Sequence, residues 1–274
     1  MRLQVSGFVV DTDSGFDLSL PVRFAADGAR AFHLPPPISA AVQVGSFVGD
    51  VRGGGSCNCE THSFCPHGAC THTECVGHIL AERVTVAELL PPPWMFAVLV
   101  RVAPRRLEDC DDDVAGNQRG DDEVVDVAAL EEALGRVAIP AGVRAQALVV
   151  ATAAGSVRRR QQHSGTNPPY LTLDAAAFVR TAGFEHLLLD LPSMDREDDG
   201  GLLAAHRAFF DVPPQVTKLS GPAPRSTITE LIAVDEGIPE GVYALSLQVL
   251  PLPADAAPSR PLLFPLLPLT KDSP

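Results

Sequence analysis

Three of the eight histidines in this chain, His67, His72 and His78, fall within twelve positions, and Glu74 lies among them. In an extended segment residues two apart share a face, so His72 and Glu74 point to the same side. His67 precedes a Gly-containing bend, through Gly68, that can return its imidazole toward them. Imidazole with carboxylate is a ligand set for zinc or manganese. A site left short of four protein ligands keeps a position for water. His78 follows Glu74 by four residues. An imidazole, whose ordinary pKa lies near neutrality, suits proton transfer there.

The same stretch is rich in thiols, since five of the six cysteines lie between Cys57 and Cys75. One alternative is a structural zinc module built from Cys57, Cys59, Cys65, Cys70 and Cys75, although it has no Cys-x-x-Cys knuckle. Another is a polar loop that holds no metal. Cys70 and Cys75 read as small buried thiols ahead of additional soft ligands.

Two distant positions bear on the choice. His206 has Leu202 and Leu203 one turn before it and Phe209 and Phe210 one turn after, so it lies on the apolar face of a helix. In the strand around Ser226–Ile232, period-two alternation puts Glu230 on the face of Ile228 and Ile232. A carboxylate there is costly to ionise unless a cation or a hydrogen-bond network meets it. Convergence of all these groups on a metal would explain them together.

The elements that must position these side chains are short, because 25 prolines and 22 glycines punctuate 274 residues. Residues 1–10 read as a strand. Phe96–Val102 and Ala147–Ala151 suit buried strands, and Val127–Val137 a helix stopped by Pro140. Asp174 is expected to cap a helix over Ala175–Ala182, which Gly183 ends. A strand at His186–Leu191 is followed by a helix from Asp198/Asp199 to about Phe210. Further strands are expected at Thr227–Val234 and Tyr243–Leu250. The Pro-rich tail, Pro258–Pro274, is expected to pack across a surface or a partner subunit. Between the apolar runs, an acidic segment at about 108–126 reads as a solvated, mobile loop. It lacks the EF-hand spacing of a calcium site. Strands mixed with short helices make a single mixed α/β domain over residues 1–274.

Twenty-one Lys+Arg against 34 Asp+Glu give a formal charge of -13, the wrong sign for binding nucleic acid or an anionic membrane nonspecifically. No apolar run approaches the length of a bilayer span, and the N-terminus lacks an apolar signal core. A cytoplasmic protein with reduced thiols is expected.

His67 through His78 resembles the pattern His-x-Gly-Thr-His-x-Asp-x-Pro-x-His of the cyclase family of metal-dependent hydrolases, whose best-known members are the bacterial kynurenine formamidases (arylformamidases). Thr71-His72 falls on the Thr-His step, Glu74 on the Asp and His78 on the last His. Asp190–Arg196, continuing to Leu203–His206, resembles the segment carrying the family's next His ligand. Thr227–Leu231 resembles the strand with its last Glu ligand, and Thr166–Tyr170 is similar to a divergent branch. Against the pattern, one extra residue separates His67 from His72, Cys70 replaces Gly, Val76 stands at the Pro, and Glu74 is one methylene longer than Asp.

The resemblance implies a swivelling β/β/α fold, with a β-barrel-like core flanked by helices. It implies one or two divalent ions, zinc ahead of manganese, held by His67, His72, Glu74, His206 and Glu230, with Glu74 able to bridge. His78 would move the proton, and Asp190 and Asp195 would brace the loop and helix cap or orient His206. The implied activity is hydrolysis of a small-molecule aryl or cyclic amide such as N-formylkynurenine, in tryptophan catabolism, by a homodimer or homotetramer. The alternative on the same scaffold is a non-catalytic metal-binding or interaction protein.

Overall fold

A computed structural model of the chain describes residues 2–5, 7–25, 27–116 and 118–269. Seven strands close into a barrel: β1 (His72–Glu74), β2 (Trp94–Arg101), β3 (Ala145–Ala151), β4 (His186–Leu189), β5 (Thr227–Glu230), β6 (Gly241–Val249) and β7 (Ala256–Pro268). β2, β3, β4 and β5 run parallel to one another, in that spatial order. β1 is antiparallel to β5 on one side and to β7 on the other, and β7–β6–β2 completes the ring with antiparallel pairs. The short β1 is therefore the closing stave of the barrel.

The central strands are continuous apolar runs because both of their faces are covered. On β2, Val98 and Val100 pack under three helices, whereas Met95, Ala97 and Leu99 join Leu245, Leu247 and Leu263 on the opposite face. The helices are α1 (Val127–Gly135), α2 (Leu173–Thr181) and α3 (Ala204–Phe210). They set Leu130, Val179 and Phe209 against the sheet, each fully buried. This is the expected mixed α/β domain with a barrel core and few helices.

Several boundaries differ from expectation, each for a local reason. Residues 2–5 and 8–11 form a hairpin turning at Gly7 (φ +84°), not one strand. The cap of α2 is Thr172, whose hydroxyl accepts from Ala175 N at 3.0 Å, and Asp174 lies in the first turn. α3 begins at Ala204, not at Asp198/Asp199, because Asp199 holds an irregular turn through Gly201 N and Leu203 N. Strand β5 stops at Glu230, where Leu231 turns to φ +55°.

The Pro-rich tail does not lie across the surface: residues 256–268 are a barrel strand. Pro258 and Pro265 sit where β7 passes from one neighbour to the next, so their missing N–H groups cost least there. Residues 270–274 lie outside the described residues.

The acidic segment is also more ordered than expected. Glu123–Val125 pairs with Arg105–Arg106 and with Tyr170–Leu171. Asp126 caps α1 through Ala129 N at 2.7 Å. Asp122 is buried against Arg196, with Nε–Oδ2 at 3.0 Å, and also accepts from Asn167 and Tyr170. Burial would raise the Asp122 carboxyl, but hydrogen bonds from Arg196, the Arg119 backbone, Asn167 and Tyr170 together hold it below its ordinary range. Among the described residues no helix is long and apolar enough to cross a membrane.

Candidate metal centre

The antiparallel register of β1 with β5 sets Glu74 opposite Ile228 and His72 opposite Glu230. Directly opposed residues share a face, so His72, Glu74 and Glu230 all point toward the helical layer. Thr71 locks this pairing in place. Its hydroxyl accepts from Leu20 N at 2.7 Å and donates to the Leu231 carbonyl, tying the entry of β1 to the exit of β5.

His67 is carried by the single helical turn Pro66–Ala69, and His78 by the 3-10 turn Val76–Ile79. Both turns depend on close backbone approach. A Cβ on Gly68 would lie 2.9 Å from Ala31 O, and one on Gly77 only 2.0 Å from Val84 O. α3 supplies His206 from its buried face.

These elements bring together every site residue singled out in the sequence. His206 Nε2 lies 2.7 Å from Glu74 Oε1 and 3.7 Å from Glu230 Oε1. His72 Nε2 is 3.5 Å from Glu230 Oε2, His67 Nδ1 is 3.4 Å from Glu74 Oε2, and His78 Nδ1 is 3.8 Å from the same oxygen. Potential donor atoms of His72, Glu74 and Glu230 lie within 4.8 Å of one another, as do those of His67, Glu74 and His78. Glu74 is common to both groups, the placement a bridging carboxylate would need.

The residues fit a divalent cation on their own hydrogen bonding. His72 Nε2 and Glu74 Oε2 are buried with no hydrogen-bond partner, while His206 Nε2 and Glu74 Oε1, equally buried, meet each other at 2.7 Å. Two carboxylates and their imidazoles buried together around Glu74 are costly without a cation. Meanwhile the other nitrogen of each ring is engaged, His72 Nδ1 by Cys70 O at 3.1 Å and His206 Nδ1 by Asp195 Oδ2 at 2.5 Å. Metal-binding histidines are held in this way, one nitrogen anchored and one left for the ion.

The imidazoles and carboxylates balance one another's charge. Burial would raise the Glu74 carboxyl, but the imidazoles of His78, His206 and His67 pull it down to about 2. Burial would lower His206, yet Glu74 and Asp195 hold it well above its ordinary value. The cysteines stand apart: burial pushes Cys70 up to about 12 and Cys75 to about 11, so both are neutral thiols. Cys57 and Cys59 are exposed.

Two carboxylates matter more here than the sequence indicates. Asp195 also accepts from Ala205 N at 2.7 Å and His206 N at 3.1 Å, so it starts α3 and orients His206 at once. Asp255, in the loop before β7, had no sequence signal: it sits in a Pro-rich stretch with no motif. Its Oδ2 lies 3.1 Å from His67 Nε2 and 2.9 Å from His78 Nδ1. Hydrogen bonds from these two rings hold its carboxyl far below the usual carboxylate range. Asp190 braces structure, accepting from Thr152 N, Ala153 N and Arg158 Nε. A cavity of ≈ 340 Å³ opens beside the cluster, lined by His67, His78 and Glu230 with Phe32, Leu34 and Ser193 among its other walls.

With this barrel and cluster established, the family can be stated: residues 16–196 match the cyclase family model ("Putative cyclase"), and the chain belongs to that family. Solved structures share the fold. Isatin hydrolase A from Labrenzia aggregata superposes with a TM-score of 0.57 at 14% identity, covering 93% of this chain and 94% of that one. A predicted metal-dependent hydrolase from Bacillus stearothermophilus gives 0.53 at 16% identity, covering 92% and 98%. A structure described as a novel cyclase gives 0.58 at 15% identity, covering 93% and 89%. No curated protein sequence matches the chain.

Proposed function

We propose that the protein is a metal-dependent amidohydrolase of the arylformamidase type, cleaving an aryl or cyclic amide. The observation that carries this reading is the convergence of His67, His72 and His206 on the buried carboxylates of Glu74 and Glu230, beside a cavity that His78 also lines. Family membership and an isatin hydrolase among the fold relatives support it.

His67, His72, Glu74, His206 and Glu230 would hold one or two cations, zinc or manganese. When bound, the cation supplies Lewis acidity, polarising the scissile carbonyl and acidifying the attacking water. Glu74 and Glu230 balance the charge, and Met194 N, donating to Glu230 Oε1 at 2.9 Å, fixes the second carboxylate. His78 takes a proton from water as its oxygen bonds to the carbonyl carbon, then passes that proton to the nitrogen as the C–N bond breaks, leaving an amine and a carboxylic acid that ionises to solvent. Phe32 and Leu34 give the cavity an apolar wall suited to an aromatic ring.

The test is hydrolysis of N-formylkynurenine, isatin and simple anilides, with and without added zinc or manganese. Metal-dependent turnover of any of these supports the reading. Bound metal with no turnover across the panel overturns it in favour of a non-catalytic metal-binding protein on this scaffold. The homodimer or homotetramer is part of the same proposal, and light scattering checks it.

A further inference from the structure

Asp255 stands beside the His67–Glu74–His78 half of the cluster, outside the proposed ligand set. Its place is set by the backbone. Cys75 N donates to Asp255 O at 3.0 Å, Val86 N to Ala254 O at 2.7 Å, and Arg83 to Pro253 O at 2.7 Å. Ala256, the next residue, is in register with Glu74 across the seam that closes the barrel. A carboxylate anchored this way is aimed by barrel closure, not by side-chain chance.

One oxygen, Oδ2, meets two imidazoles through different atoms: Nε2 of His67 at 3.1 Å and Nδ1 of His78 at 2.9 Å. An ionised carboxylate only accepts, so each of those nitrogens must donate. In their neutral forms the two rings are then fixed: His67 is the Nε2–H tautomer, with the Nδ1 lone pair turned toward Glu74 Oε2, 3.4 Å away. His78 is the opposite Nδ1–H tautomer, which leaves its Nε2 lone pair as the only basic atom on that ring. His78 lines the cavity, so that atom is the one available to substrate and water.

We infer that Asp255 is a positioning residue that sets opposite tautomers on His67 and His78 with a single oxygen, presenting one ring as a ligand and the other as a base. The inference rests on the hydrolase reading for its catalytic consequence but not for its geometry. It acts through both rings and touches no reacting atom.

The test has two arms. Long-range ¹⁵N–¹H spectra of the zinc-loaded protein at about pH 8.5, above the ordinary imidazole range, read each ring directly. Nε2–H on His67 and Nδ1–H on His78 are expected, with His78 becoming a tautomer mixture in Asp255→Ala. Like tautomers on both rings, or spectra unchanged by the substitution, overturn the inference.

In the kinetic arm, Asp255→Ala and the isosteric Asp255→Asn are expected to lower kcat by about 10–100-fold while KM moves less than about threefold. Most of that loss should vanish when His78 is already Ala. A kcat loss of equal size in both backgrounds overturns the role at His78. Should the wild-type protein turn over no amide, the spectra still decide the inference while the hydrolase reading alone falls.

Discussion

Glu230 stands directly across from His72 in the pairing of β5 with β1, its Oε2 3.5 Å from His72 Nε2. Strands of four and three residues are too short to hold a strained polar pair by themselves. Here they are held by their neighbours, β4 on one side and β7 on the other, so the cluster is a property of barrel closure.

That dependence makes metal loading a stability variable. A ligand at a hundred times its Kd stabilises by about 2.7 kcal/mol, and each kcal/mol moves Tm by about 2–4 °C in a chain of this size. Chelation should therefore lower Tm by about 5–10 °C, reversed by zinc or manganese. Differential scanning calorimetry checks this, and a chelator-insensitive Tm would count against a cation tied to the fold.

Asp195→Asn keeps the shape of the side chain but weakens its hold on His206 Nδ1. Losses of about 10–100-fold in metal affinity or activity are expected for such outer partners. Competition with a chromogenic chelator measures the affinity. An unchanged Kd would show that backbone packing alone orients His206.

The cysteine-module alternative makes an opposite forecast at Cys57 and Cys59, which are exposed and free. Replacing both by Ser should leave the metal content unchanged, because the cluster of His67, His72, Glu74 and Glu230 contains neither. Loss of metal in that double variant would restore the thiol module.

Acid sensitivity should come partly from two histidines outside the centre. Burial pushes both His163 and His186 down to about 4, with Arg158 adding to the effect at His163. Unfolded, each would titrate near about 6.5, so between these values the unfolded chain binds more protons than the folded one. Stability therefore falls as pH drops through that window, by up to about 1.4 kcal/mol per pH unit for each group. Neither ring nitrogen of His163 has a hydrogen-bond partner. His163→Gln should flatten the slope from urea unfolding by about one proton, whereas an unaltered slope would show that His163 is charged in the folded protein.

Much of this was legible beforehand because it follows from local chemistry. Two-residue spacing put His72 with Glu74, helical spacing put His206 on the apolar face, and alternation buried Glu230. Asp255 was not legible, since its role depends on the register between β7 and β1, which no local pattern encodes. The same holds for Asp122, which solvated-loop logic assigned to water and which tertiary structure pairs with Arg196. Pro258 and Pro265 of β7 misled for a related reason: they argue against an inner strand until its changes of partner are known.

The central claim is that side chains from β1, β5 and α3 share one cation, and metal content measures it most directly. Elemental analysis of the purified wild-type protein should find one or two equivalents of zinc or manganese. His72→Ala and His206→Ala, altered on separate elements, should each lose metal while remaining folded by circular dichroism. Full metal retention in both variants would contradict the account.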